Sequence, residues 1–170
     1  MNTADLLADA YGRIQEAVHA AVADLTPDEL SWRPDDGSNS VAWLVWHLAR
    51  VQDDHVAGVA GREQLWTSDG WHDRFGLPFR PATIGYGQSA AQVAKVKVSD
   101  PGLLTGYYDA VHQATLDYVA GLTDGDLDEI VDDSWDPPVT LGVRLLSVVN
   151  DDLQHAGQAA YVRGLILRRR

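Results

Sequence analysis

The segment that most constrains the fold is the last helical run, Leu141 to Arg168, because it carries two stripes at once. Val143, Leu146, Val149, Leu153, Ala156, Ala160 and Leu165 recur at helical spacing as an apolar stripe, and Asp151, His155 and Gln158 form a polar one beside it. Such a helix must lie against others while keeping a second face for chemistry or for solvent. Asp151 and His155 are four residues apart, which sets their Cβ atoms about 5–6 Å apart on nearly one face, so a single cation could touch both. That is half of a metal site, and it is equally the pattern of a salt-bridged, solvent-facing edge.

Three further helices are expected. Residues 3–24 repeat Leu6, Leu7, Ala10, Ile14, Ala17, Val18, Ala21 and Val22 at spacings of three and four, with Thr3 as the N-cap. His19, late in this helix, is read as interacting with its terminal carbonyls. Residues 40–60 form the second helix, entered through Ser38, Asn39 or Ser40, with Val41, Leu44, Leu48, Val51 and Val56 inward. Residues 101–121 form the third, opened by Pro101 and closed by Gly121, with Tyr108 and His112 read as core-edge residues. Between the second and third helices, residues 61–100 mix Gly, Pro and aromatics without a long period. Trp66, Trp71, Phe75, Phe79 and Tyr86 there either cover a pocket mouth or cap the bundle end. The acidic stretch before the last helix, with Gly125 and Pro137-Pro138, reads as an exposed connector. The expected fold is all-α, a single-domain four-helix bundle over 1–170 with a long crossover between helices 2 and 3.

Charge narrows the function. With 25 acidic against 13 basic residues, a formal net charge of −12 repels phosphate backbones and anionic membranes, so neither nucleic acid nor a membrane is an expected partner. The only basic cluster, Arg168 to Arg170, suits the C-terminal end of the last helix. No cysteine is present, which excludes disulfides, thiolate ligands and a cysteine nucleophile; any thiol chemistry must be brought in from solution. With no signal-like or spanning segment, a cytoplasmic location is expected.

The second helix offers the remaining donors. His47 stands at the margin of its buried stripe, where it is either a satisfied core histidine or a ligand. From His47 to His55 is roughly 12 Å along the axis, so one ion cannot take both. Asp54 shares the azimuth of His47 about 10 Å away, which suits a pocket role better than coordination. On the last helix Asp152 is the second choice to Asp151 as carboxylate donor.

SVAWLVWHLARVQDDH in the second helix together with NDDLQHAGQAAYVRG in the last resembles the DinB superfamily of metal-binding four-helix bundles, in particular its mycothiol-dependent maleylpyruvate isomerase and thiol-transferase-like branch. The resemblance implies a divalent metal held by His47, Asp151 and His155, with Zn foremost and Ni, Fe or Mn as alternatives. It implies a low-molecular-weight, mycothiol-like thiol as nucleophile, a small electrophilic substrate undergoing S-transfer or isomerisation, and a homodimer. Asp54, His55, Gln158 and Arg163 are then the candidates for orienting ligands or substrate. Two alternatives stand beside this: a hydrolase using metal-bound water, and a non-catalytic, metal-binding, stress-related protein.

Overall fold

Helix starts follow local capping chemistry in the computed structural model, which describes residues 1–170. Helix α1 (Thr3–Val22) is capped by Asn2, one residue earlier than expected: Asn2 accepts from the Asp5 N–H and Asp5 reaches back to the Asn2 N–H. Helix α2 (Pro27–Ser31) is a single short turn closed by the same reciprocal pairing of Thr26 and Glu29. Helix α3 (Val41–Ala60) opens at Ser40, whose hydroxyl accepts from the Trp43 N–H, and stops at Gly61, where φ is 64°. The crossover is less irregular than its sequence suggests, holding the short helices α4 (Leu65–Ser68), α5 (Trp71–Phe75) and α6 (Ala90–Val93). Helix α7 (Pro101–Val119) follows, with Asp100 as N-cap. A 3-10 turn (Asp124–Asp128) and a small antiparallel hairpin, β1 (Ile130–Asp132) with β2 (Val139–Thr140), lead into α8 (Leu141–Leu167).

The four long helices pack in the ring order α1, α8, α3, α7. Helices α1 and α8 run parallel, as the Tyr11 hydroxyl bonding the Leu145 carbonyl and Arg163 bonding that of Ala23 require. Helix α3 runs antiparallel to α8, since His47 faces Asp151 and His155 while His55 meets Arg144. The long crossover is what lets the chain leave the end of α3 and enter α7. Trp66, Trp71 and Phe75 belong to the core and Phe79 packs against it, so these aromatics close the bundle end; Tyr86 is 89% exposed. No helix is long and apolar enough to cross a membrane.

The phase of α8 differs from the expected one. Its buried face is Leu141, Leu145, Val148, Val149, Asp152, Ala156, Ala159, Val162 and Ile166, whereas Val143, Leu146 and Leu153 are 55%, 64% and 48% exposed. The apolar residues of that face set the phase and carry Asp152 inward with them. A carboxyl group sits at the centre of the buried face, fully enclosed and without a hydrogen-bond partner, and burial pushes its pKa well above the ordinary value. That enclosure removes Asp152 as the second-choice metal donor.

Two other histidines depart from expectation. His19 pairs with Asp109 of α7 at 2.7 Å, not with helix carbonyls. His112 and Tyr108 lie in the core, stacked at 6.1 Å, and Tyr108 is fully buried. The C-terminal arginines behave as expected in part: Arg168 bonds the Gly164 carbonyl, while Arg170 grips Glu29 and Arg169 lies over Trp32.

Burial lowers the pKa of His112, so its folded form resists a proton that the unfolded chain takes up near pH 6.5. Between those two values the unfolded state binds more protons, and stability therefore falls as pH drops below about 6.5. In metal-free protein the thermal midpoint followed by circular dichroism should decline from pH 7.5 to 5.5, and less steeply in His112→Gln. Parallel slopes for the two proteins would contradict this assignment.

Candidate metal centre

Helix α3 brings His47 to the centre of the bundle wall, 4% exposed, with Trp43 one turn earlier stacked on its ring at 4.6 Å. The Trp43 indole is itself fixed by a hydrogen bond to Gln88 of the crossover. The His47 Nδ1 lies 2.5 Å from the Ile84 carbonyl oxygen. A carbonyl only accepts, so Nδ1 carries the hydrogen and Nε2 keeps its lone pair. On α8 the His155 Nδ1 lies 3.0 Å from the Gln158 side-chain oxygen, which fixes the same tautomer and again frees Nε2. Asp151 Oδ1 stands 3.6 Å from that Nε2.

The close approach of the crossover depends on Gly85. A Cβ there would lie 2.7 Å from His47 Nδ1 and 3.0 Å from the Trp46 ring, and φ is +97°, a region that only glycine occupies readily. Gly85→Ala is therefore expected to push the Ile84 carbonyl off the imidazole and weaken divalent-ion binding by about 10- to 100-fold. Calorimetric titration with Zn²⁺ of folded wild type and variant measures this, and equal affinities would show that the carbonyl does not orient His47.

One donor atom from each of His47, Asp151 and His155 lies within 4.8 Å of the other two. Two bonds of about 2.1 Å span at most about 4.2 Å, so a small side-chain rotation at half-exposed Asp151 brings the set onto one ion. The donor chemistry fits a cation. Two imidazole lone pairs and a carboxylate face one another, and Asp151 Oδ2 is shielded from solvent without a hydrogen-bond partner. Acceptors clustered with no donor among them repel unless positive charge stands between them. Two neutral nitrogens and one hard oxygen suit Zn²⁺, Ni²⁺, Fe²⁺ or Mn²⁺, and three protein donors leave further positions for water or substrate.

The other candidates separate. Asp54 and His55 lie two turns along α3 from His47 and line a cavity of about 880 Å³. Arg144 of α8 donates to His55 Nδ1 at 3.0 Å and is itself held by Asp132 at 2.9 Å. Burial and that guanidinium lower the His55 pKa, so the ring is neutral with its hydrogen on Nε2. Asp54 accepts from Gln64 at 2.6 Å. Gln158 supports His155. Arg163 instead donates to the Ala23 carbonyl at the end of α1 and does not join the group. Sequence reasoning missed Arg144, although it precedes Asp151 by seven residues, two turns along one face. It also missed Gly85, although Ile84-Gly85-Tyr86-Gly87 marks a tight turn.

A family model described as the DinB superfamily matches residues 10–159. A solved structure from Enterococcus faecalis, described as a conserved protein, is similar at 32% identity over 98% of each chain, with a TM-score of 0.92. Among curated proteins none matches this chain.

Proposed function

The chain belongs to the DinB superfamily, and from that premise we propose that it is a divalent-metal-dependent enzyme that joins a low-molecular-weight thiol to a small electrophile, by S-transfer or in the course of an isomerisation. The observation that carries the metal half of this reading is the trio of inward-facing acceptors on His47, Asp151 and His155. Zn²⁺ suits the set best, because it accepts imidazole and carboxylate together and tolerates an open, low-coordinate site. The thiol half rests on the resemblance of the α3 and α8 motifs to the thiol-using branch; the chain has no cysteine, so on this reading the sulfur comes from a thiol in solution.

When bound, a divalent cation supplies Lewis acidity that favours the anionic form of a sulfur or oxygen nucleophile near neutral pH. His47 and His155 enter as neutral imidazoles in a fixed tautomer, and Asp151 adds one negative charge. Trp43 covers the His47 ring and keeps water from that side. His55, neutral and carrying hydrogen on Nε2, acts as a donor that orients a ligand; it is not the base. The thiol proton leaves to solvent, the sulfur electron pair forms the new C–S bond, and the electron pair of the broken bond departs with the leaving group. For an addition, it moves instead to the neighbouring atom, which is protonated.

The test is turnover of monobromobimane by Zn-reconstituted protein with and without a low-molecular-weight thiol. Metal- and thiol-dependent turnover is expected. Consumption that needs metal but not thiol would replace this reading with hydrolysis, and failure to take up any divalent ion would end both.

A further inference from the structure

Helix α8 has an outward face that no other element of the bundle covers. Its ten exposed positions over 143–161 carry no charged side chain, although 22% of the chain is charged. The large apolar members, Val143, Leu146, Leu153 and Tyr161, are 48% to 67% exposed. Val143, Leu146, Asn150, Leu153, Gly157, Ala160 and Gly164 follow one another at spacings of three and four in turn. That repeat is the seam along which one helix packs on another, and here it faces away from the core.

The seam changes size along its length. Its first part presents Leu146, Asn150 and Leu153, and its last part Gly157, Ala160 and Gly164. A second copy running antiparallel sets Leu153 against Gly157, Asn150 against Ala160 and Leu146 against Gly164, each larger side chain over a small one. A parallel copy would set leucine on leucine and leave glycine facing glycine. The face is therefore complementary to itself in one sense only, which is the condition for a two-fold pair.

The glycines support this. A Cβ on Gly157 would meet no atom within 4 Å, and one on Gly164 only the Arg168 guanidinium at 3.8 Å, so packing within one copy requires neither. Glycine inside a helix is destabilising relative to alanine, and the benefit it offers is close approach of a second backbone.

Charge and area point to the same occupant. Each copy has a formal net charge of −12, so two copies repel wherever their acidic surfaces meet and can approach through a face without charge. A basic partner would find no carboxylate on these ten positions to pair with. The four large residues expose roughly 500 Å², and the ten positions together offer about the 800 Å² that each partner brings to a standard interface.

We infer that two copies of this chain associate through α8, the helices antiparallel about a two-fold axis level with His155. The resemblance implies a homodimer without a face; the face and its sense come from the seam. The pairing is independent of the thiol-transfer reading and of bound metal.

The test is sedimentation of the full, metal-free chain. Wild type should have about twice the chain mass of 18.6 kDa, and a monomer overturns the inference without any variant being made. Leu146→Lys and Leu153→Lys should each raise the dissociation constant at least about 100-fold by enclosing unpaired charge at the seam. Both side chains are exposed in a single copy, so helicity by circular dichroism should stay at the wild-type level. A folded lysine variant that remains dimeric places the contact elsewhere and overturns the inference. The sense of the pair is read by cross-linking, since the chain has no cysteine of its own. Oxidation of Leu146→Cys mixed with Gly164→Cys should give the mixed disulfide. Neither variant alone should cross-link, because like positions stand roughly 27 Å apart along an antiparallel pair, far beyond disulfide reach. A disulfide of Leu146→Cys with itself would mean parallel helices and would overturn the assignment.

Discussion

His47→Ala and His155→Ala are each expected to weaken divalent binding by more than about 100-fold, since losing only the group behind a metal-bound histidine already costs about 10- to 100-fold. Both imidazoles present Nε2 to the same point, and no other histidine is placed to substitute: His55 is engaged by Arg144 and His112 is stacked on Tyr108. Asp151→Asn should lose affinity as well, because a neutral amide replaces the only charged donor of the set. Asp152→Asn should leave affinity nearly unchanged, its side chain being enclosed in the core. Competition with a chromophoric chelator reads all four variants on one scale. Burial lowers the His47 pKa, so its lone pair stays available at pH values where an exposed imidazole is already protonated. Affinity retained in both histidine variants would mean that the trio is not the metal site.

Much of this was legible before the structure. The four long helices follow from periodicity and capping residues, with Ser40 among the expected starts of α3 and Pro101 opening α7. The i, i+4 pair on α8 lies beside His47 as the resemblance implied. What sequence hid has a common cause, polar groups enclosed by distant parts of the chain. Asp152 occupies the middle of a buried face and so disguised the phase of α8, leaving Val143, Leu146 and Leu153 outward. Arg50 and Asp53, two charged residues of α3 to which the sequence pattern gives no role, are fully buried. Nothing in the local sequence announces this, because the groups that satisfy them come from the crossover and from α7. The hairpin was hidden for another reason: two strands of three and two residues fall below any detectable alternation.

That buried pair carries the largest expected effect on stability. Asp53 accepts the N–H groups of Leu65 and Trp66 at 3.0 and 2.8 Å and the Tyr107 hydroxyl at 2.9 Å, with Arg50 and Arg62 each 3.6 Å away. Arg50, fully enclosed, donates to Tyr107, Gln64 and the carbonyls of Pro81 and Thr83, and its guanidinium lies 4.9 Å from the Trp66 ring centre. Asp53→Ala strands the Arg50 charge in a dry interior, which should cost about 3–5 kcal/mol. For a chain of this length that lowers the thermal midpoint by roughly 6–20 °C, measurable by calorimetry. Removing both charges, Arg50→Met with Asp53→Leu, should recover most of the loss, because desolvation of the pair offsets much of its attraction. It should not recover metal affinity. The Pro81 and Thr83 carbonyls that Arg50 holds come just before Ile84, whose carbonyl fixes His47, so the double variant is stable but has a loosened crossover. If it binds Zn²⁺ as tightly as wild type, the pair serves the fold alone and the crossover is positioned for His47 by other contacts.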